Sequence, residues 1–141
     1  EYVERFKEMT KDISNIHVVG HRPHKEMPVW QKAADVLVLP NTAKDPLSKY
    51  DTSPMKLYEY MASKRIIVAS NIPSVTEVVD TSSAILVEPD SEESLAEGIK
   101  HALELENGGM YTGNAYVKVQ EFTWQKRAQR ILSFMEKNEN R

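Results

Sequence analysis

Apolar residues return along this chain in two rhythms, short continuous runs and stretches in which they recur every three or four positions. Val3, Phe6 and Met9 space a helix over residues 2 to 10. "NIHVVG" (15–20) is a β-branched run closed by Gly20 and predicts a buried strand, with His17 and Val19 on one face and His17 a satisfied core histidine. "HKEMPVWQKAA" (24–34) predicts a helix, in which Pro28 is tolerable only near the first turn. "DVLVLP" (35–40) is a second buried strand, with Asp35 as its polar lead-in, and a polar loop follows over 41–53. Ser53 as N-cap and Pro54 at the first helical position open a helix that runs to about Ser63.

"RIIVAS" (65–70) predicts a third strand, "IPSVTEVV" (72–79) a short helix and "SAILVE" (83–88) a fourth strand. Asp90 then opens a helix over 91–105, with Glu93 three residues on as in a capping box. Leu95, Ile99, Ala102 and Leu103 form its apolar stripe. "NGGMYTGN" (107–114) lacks the strand-before, helix-after setting of a phosphate-binding glycine loop and reads as an interhelix turn. A helix around 115–121 follows, and a last one from Thr123 is expected to bury Trp124, Ala128, Ile131, Leu132 and Met135.

Continuously apolar strands alternating with amphipathic helices define an α/β fold, a Rossmann-like parallel sheet of four strands with helices on both faces. The 141 residues suffice for one domain with a real core. In such folds ligands sit at the carboxyl ends of strands, often against a helix N-terminus. The loop 40–53 and the helix at Pro54 lie at that edge.

Composition removes several alternatives. A net charge of −3 without any Arg/Lys-rich tract gives no electrostatic case for nucleic acid as a partner. The absence of cysteine excludes disulfides and thiolate chemistry and suits a cytoplasmic location. No apolar run approaches the ~20 residues that cross a bilayer. No Asp-x-Asp pair occurs, and His17, His21, His24 and His101 show no metal-ligand spacing with each other, so nothing calls for a metal. No Ser/His/Asp or Cys/His arrangement offers a nucleophile. A charged start inside an amphipathic helix, without an initiator Met, leads us to expect a piece of something longer.

At the predicted ligand edge, the free N–H groups of Met55 and Lys56 and the hydroxyls of Thr52 and Ser53 suit phosphate, a helix terminus being worth ~0.3–1 kcal/mol at an exposed site. The simpler reading is that Ser53 caps its own helix. Glu59, a turn and a half on, tilts back toward that edge, where a carboxylate suits a vicinal diol rather than phosphate. From helix geometry alone an exposed Lys56–Glu59 pair, worth ~0.2–0.5 kcal/mol, accounts for it as well. Asp51 sits on a loop that can bend over the same spot, or serves simply as a turn residue.

"DVLVLPN…DTSPMKLYEYMASKRIIVASNIPSVTEVV" resembles the donor-binding half of retaining glycosyltransferases of family 4. These enzymes set two Rossmann-like domains across a cleft, the GT-B fold. Their hallmark is two acidic residues separated by seven positions, the second on a helix, and Asp51 and Glu59 occupy those places. The "SPxKLxEYMA" form, Ile72-Pro73, Glu77-Val78-Val79 and the closing "EFTWQKRAQRIL" are similar to further family motifs. The likeness spans residues 15 to 135.

The resemblance implies a catalytic pair, with Glu59 on the ribose hydroxyls of a nucleotide-diphosphate sugar and Asp51 on the transferred sugar. It also implies Thr52, Ser53, Met55 and Lys56 at the diphosphate, and Gly20 and His21 near the nucleobase. The donor is then a substrate, with no cofactor, and a glycan or lipid-linked acceptor binds through a missing domain. This chain departs from the family in carrying Asp rather than Glu at the first acidic position, and Pro54 where many relatives have Gly. Residues 1–141 would form a partial C-terminal donor-binding domain, inactive by itself, from a parent that is cytoplasmic or peripheral at the inner membrane face.

Two earlier strands of that domain, which in the family's order lie between the first and second strands read here, are not in the chain. Direct re-pairing, a distorted sheet, or strands from another copy is therefore expected, and unpaired edges invite self-association. A nucleotide-sugar epimerase of the same architecture and a non-catalytic α/β binding module are the competing functions.

Overall fold

The computed structural model describes residues 2–106 and 108–139. Three parallel strands form the sheet, in the order β1 (Val36–Leu39), β2 (Ile66–Ser70) and β3 (Ile85–Val87). The register sets Val36 opposite Ile66 and Val68 opposite Ile85. Parallel neighbours need crossovers, and two helices supply them: α3 (Met55–Ser63) joins β1 to β2, and the one-turn α4 (Pro73–Thr76) joins β2 to β3. Before the sheet come α1 (Tyr2–Thr10) and α2 (Met27–Ala33), the latter entered through a 3-10 turn at His24–Glu26. After it come α5 (Glu92–Glu104), α6 (Gly109–Val119), a 3-10 turn at Gln120–Phe122 and α7 (Trp124–Glu139).

Strand alternation divides the core between the two faces of the sheet. Ile67 and Ala69 turn to one side, where they pack with Leu57 and Met61 of α3, Val75 of α4 and Ala115 of α6. Val68 turns to the other and meets Val87, Ile85 and the Leu95, Ile99 and Ala102 stripe of α5. Full burial of a side chain such as Leu57 or Met61 is worth roughly 1.5–3 kcal/mol each, and both are completely covered. This is the α/β sandwich the sequence pattern predicts, with helices on both faces but three strands rather than four.

The missing strand is 15–20. That segment is irregular and exposed, His17 included, with Val19 48% exposed. A strand exists only where a neighbour accepts its N–H and C=O groups. None of the described strands pairs with this one, so its β propensity goes unused. It does not re-pair with β1, which stands at one edge of the sheet.

Other corrections follow the same logic of context over local signal. Pro54 rather than Ser53 occupies the N-cap position of α3. At α5 Ser91, not Asp90, is the cap: its Oγ accepts from the Ser94 N–H at 3.2 Å. Asp90 instead sits in the left-handed region at φ 59°. Leu103 is exposed, off the α5 stripe that faces the sheet. The glycines at 109 and 113 lie inside α6, because Ala115 docks that helix on the core.

The largest departure is α7. Trp124 is 77% exposed, and Ile131, Leu132 and Met135 are exposed too. An amphipathic stripe buries only against a surface, and none of the described residues closes over this one. No helix among the described residues is long and apolar enough to cross a membrane.

A polar clasp ties α6 to the turn between α4 and β3. The Asp80 carboxylate accepts from the Ser82 hydroxyl at 2.6 Å and from Lys118 Nζ at 3.1 Å, while Asn114 donates to the Ser82 carbonyl. The Ser82 hydroxyl first, and then the Lys118 ammonium, hold the Asp80 carboxyl well below the usual carboxylate range. A folded-state value below the unfolded one stabilises the fold above the ordinary Asp value of about 3.9. That contribution is lost as pH falls toward the folded value. Asp80→Asn is therefore expected to lower the urea midpoint at neutral pH and to change it little in strong acid. Because Asp80 and Lys118 are largely solvated (56% and 35% exposed), the loss should be about 1 kcal/mol or less.

Candidate functional site

The carboxyl end of β1 gives way at Pro40 to the loop 41–54, which leads into α3. Two side chains fasten this loop. Asp90, beyond β3, accepts from Thr42 Oγ1 at 2.6 Å and from the Ala43 N–H at 2.9 Å. Those contacts, the Thr42 hydroxyl first, hold its carboxyl below the ordinary range. Ser74 Oγ of α4 donates to the Ser48 carbonyl at 2.7 Å. Between these anchors, Leu47–Asp51 forms a π-helical turn, and the Thr52 hydroxyl donates to the Leu47 carbonyl at 2.8 Å. Neither fastening was readable beforehand, since Asp90 and Ser74 both suited local strand-end or cap roles.

Asp51 ends the π-helical turn, exposed. Ser53, Met55 and Lys56 are exposed as well, and no side chain caps the N-terminus of α3. The Leu57 N–H is already engaged by the Pro54 carbonyl at 2.8 Å. Gly20 holds a left-handed φ of 70°, a conformation glycine adopts without strain, and His21 beside it is exposed.

Glu59 is neither buried nor free. Its side chain is 35% exposed. Its partners are Gln31 and His24 rather than Lys56: Gln31 Nε2 donates to Oε2 at 2.8 Å, and His24 Nε2 stands 3.4 Å from Oε1. The latter contact is an ion pair when His24 is protonated. All three line a cavity of about 310 Å³ together with Met27, Pro28, Lys32, Ala62 and Ser63. Burial first, and then the Glu59 charge, push the neighbouring Tyr60 hydroxyl above its ordinary value.

The candidate residues do not share one cavity. Ser53 and Met55 line a separate groove of about 500 Å³, formed with Tyr58 and with Trp124 and Arg127 of α7. At the carboxyl edge of the sheet a third hollow, about 240 Å³, is lined by Pro40, Lys44, Ser70 and Asp90. The Glu59 cavity brings polar groups together from α2 and α3, and the hollow at the carboxyl edge brings Lys44, Ser70, Glu88 and Asp90 together. The groove under α7 is mostly aromatic and aliphatic. Gln31 and His24 were missed in the sequence because their role depends on α2 packing against α3, which residue type does not announce. Among the described residues no group of His, Asp and Glu is placed to hold a metal ion.

A parallel sheet covered on both faces, with its loops and helix termini gathered at the carboxyl edge, is the architecture of a GT-B glycosyltransferase domain. The Anabaena protein HepE, solved in complex with UDP, superposes with a TM-score of 0.81 at 19% identity, over 96% of this chain and 37% of its own. Sucrose-phosphate synthase from Thermosynechococcus elongatus gives 0.76 at 22% identity, over 98% of this chain and 34% of the enzyme. The C-terminal domain of the group 1 glycosyl transferase LpcC from Francisella tularensis gives 0.64 at 23%, over 83% and 58%.

The chain belongs to the group 1 glycosyl transferases, whose family model matches residues 1–105. It thus spans 34% and 37% of the length of the synthase and of HepE. No curated protein matches it.

Proposed function

We propose that this chain is the donor-binding part of a retaining, metal-independent glycosyltransferase of family 4. That enzyme moves a sugar from a nucleotide-diphosphate sugar to an acceptor hydroxyl. The observation that carries the reading is Glu59, a partly exposed carboxylate that lines a cavity and is held there by Gln31 of α2, at the position where the family keeps its second acidic residue. Membership of the group 1 transferases supports it, as do the complexes of the structurally similar HepE with UDP and with UDP-glucose.

In this reading the ribose diol donates to Glu59, and the donor diphosphate lies toward the N-terminus of α3. The Met55 and Lys56 N–H groups, the Lys56 ammonium and the Ser53 hydroxyl face it there, and the Thr52 hydroxyl joins them once it releases the Leu47 carbonyl. Asp51 meets the transferred sugar, and Gly20 and His21 flank the base. The bond from the anomeric carbon to the diphosphate oxygen breaks, the nucleoside diphosphate leaving with the electron pair, while the acceptor oxygen bonds to that carbon from the same face and passes its proton to the departing phosphate oxygen, so the configuration is retained. Charge growing on the leaving phosphate is met by the helix terminus and by cations. The 141 residues alone bind nucleotide weakly and transfer nothing, since the acceptor and the remaining cations belong to other parts of the enzyme.

Titration calorimetry of UDP, ADP, GDP and CDP against the full-length protein tests the proposal. One nucleotide should bind, with an affinity unchanged by EDTA. Binding of none of the four would sink the donor-site reading, and loss of binding in EDTA would sink metal independence.

A further inference from the structure

Gln31 is a polar side chain inside a helix–helix contact, only 6% exposed. Burying an amide is unfavourable unless its groups are partnered, and its Nε2 is spent on Glu59 Oε2 at 2.8 Å. An ionised carboxylate can only accept, so the amide must present its NH₂ side, and its orientation is thereby determined. Because the donor is neutral, it orients the carboxylate without cancelling its charge, as a lysine or arginine in its place would.

The two carboxylate oxygens are held differently. Oε2 is tied to a buried group on α2, whereas Oε1 faces His24, whose side chain is 88% exposed and 3.4 Å away. The first contact is fixed by packing. The second is long, and a ligand can displace it. Each oxygen retains further acceptor capacity, so two hydroxyls can still be received. A glutamate on an exposed helix face would otherwise sample several rotamers, and ordering it on binding would weaken affinity.

We infer that Gln31 is a positioning residue of the donor site, its buried amide fixing the Glu59 carboxylate in the orientation that receives the ribose diol. The inference rests on the reading of Glu59 given above and adds to it a residue that acts only through Glu59. An amide that merely pinned α2 to α3 would have the same geometry, so the test must separate the two roles.

The test compares two ligands of the full-length protein, the nucleoside diphosphate that binds best and its 2′,3′-dideoxy counterpart. Gln31→Leu should weaken the first about tenfold, the worth of one charge-assisted hydrogen bond, and leave the second unchanged. Gln31→Glu, which sets a like charge beside Glu59, should weaken the first further. Gln31→Met, unbranched and of similar length, is the second variant should leucine impair folding as read by the thermal midpoint. Equal weakening of both ligands, or of neither, overturns the inference provided Glu59→Gln selectively weakens the hydroxylated ligand. If Glu59→Gln fails to discriminate between the two, the diol reading itself has failed, and the role of Gln31 falls with it.

Discussion

Replacing Gly98 by leucine is expected to cost the fold about 3 kcal/mol or more, the upper range for overpacking a core. Gly98 lies on the face of α5 that rests on the sheet. A Cβ there would stand 2.4 Å from Val87 Cγ1 and 3.2 Å from Val68 Cγ1. Both valines are buried, Val68 completely and Val87 at 6% exposure, so neither has room to yield. Leucine is a better helix former than glycine by about 0.8 kcal/mol, so a measured loss can only come from packing. The helix must retreat from β2 and β3, opening the contact that Leu95, Ile99 and Ala102 make on either side. Gly98→Ala should cost less, about 1–2 kcal/mol, because only the Cβ is forced against Val87 and Val68 and no longer side chain follows it. Urea unfolding of both variants reads this directly. A leucine variant as stable as the parent would mean that α5 does not approach the sheet so closely.

The second large effect concerns binding rather than folding. Glu59→Gln should reduce nucleoside diphosphate affinity between about tenfold and a hundredfold, since each hydrogen bond to a charged acceptor is worth roughly 1.5–3 kcal/mol. Glutamine keeps the shape and one acceptor oxygen, and Gln31 can still donate to it. What disappears is the charge and the second acceptor for the diol. Folding stability should change by no more than about 0.5 kcal/mol, as expected of a half-exposed residue outside the core. This contrast between binding and stability is the informative result. A variant that unfolds without a selective loss of affinity would assign Glu59 to the α2–α3 contact alone.

These two positions differ in how legible they were. Glu59 was visible as a carboxylate out of place among Leu57, Tyr58, Tyr60 and Met61, eight positions after Asp51. Its family resemblance then supplied a role. Its actual partners were not visible, because Gln31 is 28 residues away and becomes a neighbour only when α2 packs on α3. Gly98 carried no signal whatever. Only the proximity of Val87 shows why a side chain is excluded there.

Hydrophobic periodicity determined by itself that β1, β2 and β3 are strands and that helices cover both faces of their sheet; that α3 and α5 lie on opposite faces is a result of the assembled structure. Each of those segments carries its apolar residues at the period of the element it forms, and each finds a partner within the chain. Tertiary context decided the remainder. Residues 15–20 have strand composition but pair with none of the described strands. The stripe of α7 has helical spacing but stays exposed, since none of the described residues closes over it, and Asp90 has cap chemistry but is drawn to Thr42 and Ala43. A local pattern states which surface a segment must hide or which groups it must satisfy, and only the assembled chain determines whether a partner is there to do so.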